Sequence, residues 1–344
     1  MASDTIHWDV VKRGVERARE RMVWRPYGAP EIVDPEHTAF HDGIIQSPWD
    51  VSRTMIVQTA ITGAFFSRRG NPHQPISTEE ILQSARECAR AGASAIHLHV
   101  RDERGYNVLS VDKFREVVDP LRAEFPGLSI DGCYVCALEG EWAEMKRALK
   151  ENILDAVPVN TTAVYQGDSL FAKPVPLMIE KTRLIVESGA KPIIAVYTDA
   201  DVSNADRYLL RSGLLSPGQA WCVLPALPGC SPMENPRQMV DGLLRIATAI
   251  KDADPEAVIL VCAAGRASSY LMTVAAALGL HIRVGMEDTV WRWPHRPEKL
   301  ASNLQAFQSA AALAGVLGRD VASFAEYRAI MNLPAQHPSA AAKP

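Results

Sequence analysis

The sequence predicts an α/β chain closed into a (β/α)8 barrel of the TIM-barrel class, preceded by an irregular N-terminal extension. Three observations carry this reading. From residue 54 onward, short apolar or β-branched runs alternate eight times with helix-length amphipathic segments, the rhythm of a parallel sheet with helical crossovers. The eight units fill about 260 residues, the size of one such barrel. An open doubly wound sheet is the alternative, but no G-x-G-x-x-G follows the first strand and no phosphate-loop sequence occurs anywhere.

Residues 1–50 read as an arm. A charged, helix-compatible segment runs from Val10 to Met22, after which Pro26, Pro30, Pro35 and Pro48 break any regular element. Trp8, Trp24, Tyr27 and Trp49 are spread through it, and aromatic rings in an irregular arm need a surface to bury against. That surface is either the chain's own barrel or a neighbouring subunit, the second making the protein a homo-oligomer. The barrel is expected over 51–320, with strands at 55–59, 94–100, 128–132, 155–159, 192–197, 221–224, 258–262 and 281–285. Helices are expected at 78–91, 111–124, 141–150, 175–187, 202–212, 237–251, 269–278 and 299–317, and residues 321–344 form a C-terminal helix and tail. Ser77 or Thr78 caps the first helix ahead of Glu79-Glu80, and Ser268 or Ser269 the seventh. Ala91-Gly92, Ser188-Gly189 and Leu278-Gly279 are helix stops.

Composition narrows the partners. A formal net charge of −4 with no long basic run argues against nucleic acid or an anionic membrane, and leaves a small molecule as the substrate. No apolar run approaches a membrane span, and Met1-Ala2-Ser3-Asp4 lacks the order of a signal peptide, so the expected location is the cytoplasm. Six dispersed cysteines suit reduced thiols. Cys133-Tyr134-Val135-Cys136 has C-x-x-C spacing, but one pair alone does not define a zinc or redox centre.

The chemistry is concentrated in two stretches. In Ile96-His97-Leu98-His99-Val100-Arg101-Asp102, side chains alternate between faces, so His97 and His99 point one way and Ile96, Leu98 and Val100 the other. Burying two imidazoles requires partners, and a metal ion would serve both; hydrogen-bonded core histidines are the plainer alternative. In His281-Ile282-Arg283-Val284-Gly285-Met286-Glu287-Asp288, Arg283 faces the same interior, and the acids follow the strand. One carboxylate can ligate a metal while the other pairs with Arg283 or takes a proton. An ordinary surface ion pair is the alternative. In a closed barrel strands two and eight both flank strand one, so His97, His99, Arg283 and Glu287 converge, and three ligands leave an open metal position.

At these residues the chain resembles the β-keto acid cleavage enzyme family, of the 3-keto-5-aminohexanoate cleavage type. The likeness covers residues 54–318 and rests on Thr59-Ala60-Ile61-Thr62-Gly63-Ala64, Pro75-Ile76-Ser77 with Glu79-Glu80, Ala91-Gly92-Ala93, the two stretches above, Gly265-Arg266 and Asn303. The resemblance implies a zinc-dependent barrel that condenses a β-keto acid with acetyl-CoA and releases acetoacetate and a new acyl-CoA. It implies His97, His99 and Glu287 as zinc ligands and Asp288 with Arg283 as the proton-abstracting pair. Zinc would stabilise negative charge developing on the substrate's oxygen; nickel, cobalt or manganese could occupy the same ligands. Arg266 is the expected contact for coenzyme A.

Substrate contacts are expected from Phe65, Tyr134, Thr161 and Thr162. Phe65 stands where relatives acting on amino substrates carry an acid, and Gly132-Cys133-Tyr134-Val135 replaces their Ser-Thr-Gly-Gly-like turn. The fourth turn, Asn160-Thr161-Thr162-Ala163, differs too, and Ile193-Ile194-Ala195-Val196-Tyr197 is apolar where acids often sit. The expected substrate therefore has an apolar far end. A buried ammonium without a counter-charge would be rejected, while a quaternary ammonium could meet aromatic faces. Rival functions are a coenzyme-A-independent zinc hydrolase or aldolase on a small carbonyl compound, and a non-catalytic metal sensor.

Overall fold

The computed structural model describes residues 6–20, 47–136, 138–166, 169–225 and 235–335. Two compact units are present, Met1–Val51 and Ser52–Pro344. The first contains an amphipathic helix, Trp8–Glu20, starting two residues before the segment expected from sequence. Trp24, Tyr27, Pro26, Pro30 and Pro35 of the arm lie outside the described residues, as do residues 336–344 of the tail.

The second unit is the barrel. Its strands are β1 (Val57–Ala60), β2 (Ala95–Leu98), β3 (Ser129–Gly132), β4 (Ala156–Asn160), β5 (Lys191–Val196), β6 (Ala220–Val223), β7 (Val258–Cys262) and β8 (His281–Val284). They form one closed parallel barrel in sequence order, with β8 beside β1 through Ile282 opposite Val57 and Arg283 opposite Gln58. The helices are α1 (Thr78–Arg90), α2 (Val111–Glu124), α3 (Glu141–Lys150), α4 (Val175–Ser188), α5 (Asp199–Ala205), α6 (Pro236–Ala253), α7 (Ser268–Ala277), α8 (Asn303–Val316) and α9 (Phe324–Ile330).

Local chemistry explains where the elements start and stop. Ser77 caps α1 in a reciprocal arrangement with Glu80, and Gly189 ends α4 in the left-handed region at φ 82°. α5 starts three residues earlier than expected because Thr198 and Asp201 form the same reciprocal cap; its far end continues as a π-helical turn, Asp206–Leu210. α8 starts four residues later than expected, since Ser302 caps it through the Gln305 amide. The serine cap expected for α7 is absent: Ser268 and Ser269 both lie inside that helix, behind Ala267.

Side-chain alternation divides the core in two. Ile96, Leu98, Ile130, Val159, Ile194 and Val261 pack outward against the helices. Inside the barrel, Ile56, Ala95, Ala156, Ala220 and Leu260 pack with Tyr327 and Met331. Tyr327 and its neighbour Arg328 thus close the N-terminal end of the strands, where Arg328 donates to Asp155 Oδ1 at 2.9 Å. The opposite end, at the strands' C-termini, holds the polar residues.

Candidate active site

At the end of β2 the alternation holds through His99, and both imidazoles face the barrel axis. His97 Nδ1 donates to Asp131 Oδ1 at 2.9 Å, and the same carboxylate accepts from Gln58 Nε2 at 3.0 Å. His99 Nδ1 donates to Asn107 Oδ1 at 2.5 Å. Asn107 arrives on a two-residue antiparallel hairpin in which Val100–Arg101 pairs with Asn107–Val108. With each Nδ1 proton engaged, each Nε2 lone pair is turned toward the same point.

Glu287 meets them there. Its Oε1 lies 3.2 Å from His97 Nε2 and 3.4 Å from His99 Nε2, and accepts from Arg283 NH2 at 2.6 Å. Two glycines permit this approach: a methyl group at Gly63 would overlap the Glu287 side chain, and at Gly285, where φ is +145°, it would overlap the Ala60 carbonyl. Asn303 fixes the turn, accepting from the Met286 amide at 2.7 Å and donating to the Ile61 carbonyl at 2.9 Å. Arg283 also grips Asp288 with two parallel bonds, Nε to Oδ2 at 2.9 Å and NH2 to Oδ1 at 2.8 Å.

The donor set fits a divalent metal. His97, His99, Glu287 and Cys133 each offer a ligand atom within 4.8 Å of the others. Glu287 Oε2 is buried and has no hydrogen-bond partner, a costly state that a cation would relieve. Electrostatics agree. Burial and Arg283 push the His97 pKa down, but Glu287, Asp131 and Cys133 outweigh them and hold it well above the ordinary value. Burial opposes protonation of His99 too, yet Glu287 and Cys133 raise its pKa to about 10. Burial raises the Cys133 thiol and the two imidazoles bring it down to about 6. The cluster attracts positive charge at the imidazole Nε2 atoms, which a divalent cation supplies in place of protons.

A cavity of about 380 Å³ opens beside this cluster, and Arg283, Glu287 and Asp288 contribute to its wall. The rest of the wall is largely apolar, including Phe65, Val135, Phe171, Ala195, Tyr197 and Leu224. Of the residues expected to contact substrate, Phe65 lies on this wall and is 58% exposed. Tyr134 does not: it packs edge-on against Phe114, ring centroids 5.7 Å apart, on the helix side of the barrel. The alternation that turns Cys133 and Val135 inward turns Tyr134 outward. Thr161 and Thr162 are buried outside the described cavity wall, with Thr161 Oγ1 donating to the Asp201 carbonyl at 2.8 Å; their neighbour Asn160 lines the cavity. Arg266 is also outside the cavity wall. Its guanidinium stacks 3.6 Å from the Trp291 ring centroid, and Lys299 Nζ lies 3.0 Å from that centroid.

Sequence reasoning missed Cys133, Asp131, Gln58 and Asn107. Asp131 had a signal: it is the polar residue of β3 directly opposite His97 in the neighbouring strand. Asn107 had none, because the hairpin carrying it is only two residues long on each side.

The sequence model of the beta-keto acid cleavage enzymes matches residues 54–333, most of the chain. The chain belongs to this family. It is 28% identical over 283 residues to the 3-keto-5-aminohexanoate cleavage enzyme of Acetoanaerobium sticklandii, covering 81% of this chain and 98% of that one. It is 24% identical over 287 residues to the 3-oxoadipate:acetyl-CoA acetyltransferase of Cupriavidus necator, covering 83% and 96%. Among solved structures, the binary complex of ObcA with oxaloacetate aligns with TM-score 0.63 at 18% identity, over 76% of this chain and 68% of that one, a likeness of fold. The eight-stranded barrel of this chain carries the polar cluster at the strands' C-terminal ends. Among the described residues no helix is long and apolar enough to cross a membrane.

Proposed function

We propose that this enzyme is zinc-dependent and converts a β-keto acid with an apolar far end, together with acetyl-CoA, into acetoacetate and a new acyl-CoA. The single observation that carries the proposal is the meeting of the Arg283–Asp288 pair with the unpartnered Glu287 Oε2 on the wall of one largely apolar cavity. His97, His99 and Glu287 would hold the zinc, which when bound supplies Lewis-acid stabilisation of negative charge on the substrate's β-carbonyl; cobalt, nickel or manganese suits the same donors.

The chain's own groups account for the remaining steps. Asp288 takes a proton from C2 of the keto acid, and Arg283 keeps its carboxylate turned toward the cavity through two bonds. C2 attacks the acetyl carbonyl of acetyl-CoA, forming one carbon–carbon bond and releasing the thiolate. The thiolate then attacks the β-carbonyl, and the bond between C2 and C3 breaks. The two-carbon acid fragment, now carrying the acetyl group, takes the proton back at C2 from Asp288 and leaves as acetoacetate, while the rest of the substrate leaves as the acyl group on coenzyme A. Arg266 and Lys299, both over Trp291, offer cations to the coenzyme's phosphates; Gly265 beside Arg266 is tied to the Asp288 carbonyl at 2.9 Å, which keeps that rim near the reacting atoms.

The apolar wall supports an aliphatic substrate. Phe65, Phe171 and Ala195 offer no counter-charge to an ammonium. We further read the protein as cytoplasmic, consistent with five free cysteines among the described residues, and as a homo-oligomer with the 1–50 arm in subunit contacts. Incubation with acetyl-CoA and a panel of β-keto acids, with acetoacetate as the readout, tests the reaction. Turnover is expected with 3-ketohexanoate; no turnover of any keto acid by metal-loaded protein would favour coenzyme-A-independent chemistry. Metal analysis is expected to find one divalent ion per chain, lost in His97→Ala/His99→Ala. Light scattering that gives a monomer, unchanged on deleting residues 1–50, would remove the assembly reading.

A further inference from the structure

We infer that Cys133 is a fourth ligand to the metal, so that the resting site is a closed set of two imidazoles, one carboxylate and one thiolate. The inference rests on the proposed metal site and extends it by a residue from a different strand end.

The argument is geometric. In a tetrahedral site with metal–nitrogen and metal–oxygen distances of about 2.0–2.2 Å and a metal–sulfur distance of about 2.3 Å, neighbouring ligand atoms stand about 3.3–3.6 Å apart. Here His97 Nε2 is 3.2 Å from Glu287 Oε1, His99 Nε2 is 3.4 Å from the same oxygen, and Cys133 Sγ is 3.7 Å from His97 Nε2. All four ligand atoms fall within 4.8 Å of one another. The three measured separations match edges of one coordination tetrahedron to within a few tenths of an ångström, and the remaining three pairs stay within 4.8 Å.

A second observation is independent of the thiol: buried Glu287 Oε2 has no partner, which points to a ligand at this place. The other half of the C-x-x-C pair is engaged elsewhere, with Cys136 Sγ directed at the Glu141 carbonyl at 3.6 Å and Met145 Sδ at 3.9 Å. The Cys136 thiol is therefore directed at groups other than Cys133. The strand period explains the separation, since residues three apart at a strand's end cannot share a face.

A thiolate changes what the site selects. It favours zinc or cobalt over magnesium or manganese, because soft donors prefer softer ions. It also fills the position that three ligands would leave open, so an incoming carbonyl must displace Cys133 or raise the coordination number to five.

The test loads the full-length, chelator-stripped protein with one equivalent of cobalt(II). A near-ultraviolet thiolate-to-cobalt charge-transfer band is expected in the wild type and in Cys136→Ser. It should be absent from Cys133→Ser, which still binds cobalt through His97, His99 and Glu287. In the wild type, mass spectrometry should show iodoacetamide labelling of Cys133 slowed about tenfold or more by the bound metal, since a coordinated thiolate is a poor nucleophile. That comparison decides the matter even if Cys133→Ser does not fold. Cobalt bound without the band, a band that survives in Cys133→Ser, or equal labelling with and without metal overturns the assignment of Cys133 and leaves the three-ligand site standing. Absence of bound cobalt overturns both.

Discussion

The two ends of the barrel use the same residue types in opposite proportion. At the N-terminal end of the strands, Asp155 sits between two arginines: Arg328 donates to Oδ1 at 2.9 Å, while Arg122 at 3.3 Å and the Ile130 amide at 3.1 Å donate to Oδ2. Both carboxylate oxygens are matched, and the atoms left over are donors, Arg122 Nε and Arg328 NH1. At the C-terminal end one arginine, Arg283, serves two carboxylates, and the atom left over is an acceptor, Glu287 Oε2. Excess donors repel a cation, and an excess acceptor beside two imidazole lone pairs attracts one. Burying an arginine–carboxylate pair is thus not itself a sign of function. The count of charges and the side on which the orphan atom falls separate a structural plug from a reacting site.

This contrast makes Asp288 and Asp155 the decisive pair of substitutions. Asp288→Asn is expected to lower kcat/KM for acetoacetate formation about 10²–10⁴-fold, the range for removing a general base, with far less loss of stability than the substitution at the other end. Asp155→Asn is expected to cost about 3–5 kcal/mol in urea denaturation, because it leaves the buried Arg328 and the half-buried Arg122 without the carboxylate they share, while activity per folded molecule stays near wild type. If the two effects exchanged places, the distinction between the ends would be wrong.

A smaller effect tests the floor of β8. His281 Nδ1 accepts from the Ile56 amide at 3.0 Å, and burial, with Arg319 and Lys251 nearby, lowers its pKa from 6.5 to about 4. The unfolded chain takes up this proton first, so the contribution is complete above 6.5 and is lost as the pH falls through 4. A shift of this size is worth on the order of 2–3 kcal/mol after allowance for partial exposure. In His281→Asn, whose amide oxygen can still accept from Ile56, the total loss of stability on lowering the pH between those values should shrink by that amount. An unchanged loss would place the acid sensitivity elsewhere.

The smallest expected effect concerns the rim. Phe65→Glu should shift the ratio of kcat/KM for 3-keto-5-aminohexanoate over 3-ketohexanoate about tenfold toward the amine, modest because the side chain is more than half exposed. No shift would mean that the far end of the substrate lies against another part of the wall, such as Phe171 or Leu224.

Legibility in the sequence followed the strand period. His97 with His99, and Arg283 with the acids that follow it, could be read because alternation fixes the faces of residues close in sequence, and the eightfold rhythm joins β8 to β1. Legibility ended where the chain leaves a strand. Tyr134 was expected in the cavity, yet its neighbours Cys133 and Val135 are the ones on the cavity wall, a one-residue question of phase in a turn. After β4, Thr161 and Thr162 are both buried off the cavity wall, while Asn160 at the strand's end lines it. The serine cap of α7 failed because a serine before a helix and one in its first turn look alike in sequence.

The pairing of Ile282 with Val57 has a consequence for the order in which the molecule is made. A ribosome delivers residues one after another, and His97 emerges long before Glu287. Until β8 has been synthesised, β1 has a bare edge and the imidazole Nε2 atoms lack the Glu287 carboxylate. The proposed metal site is therefore completed only when the last strand closes the barrel.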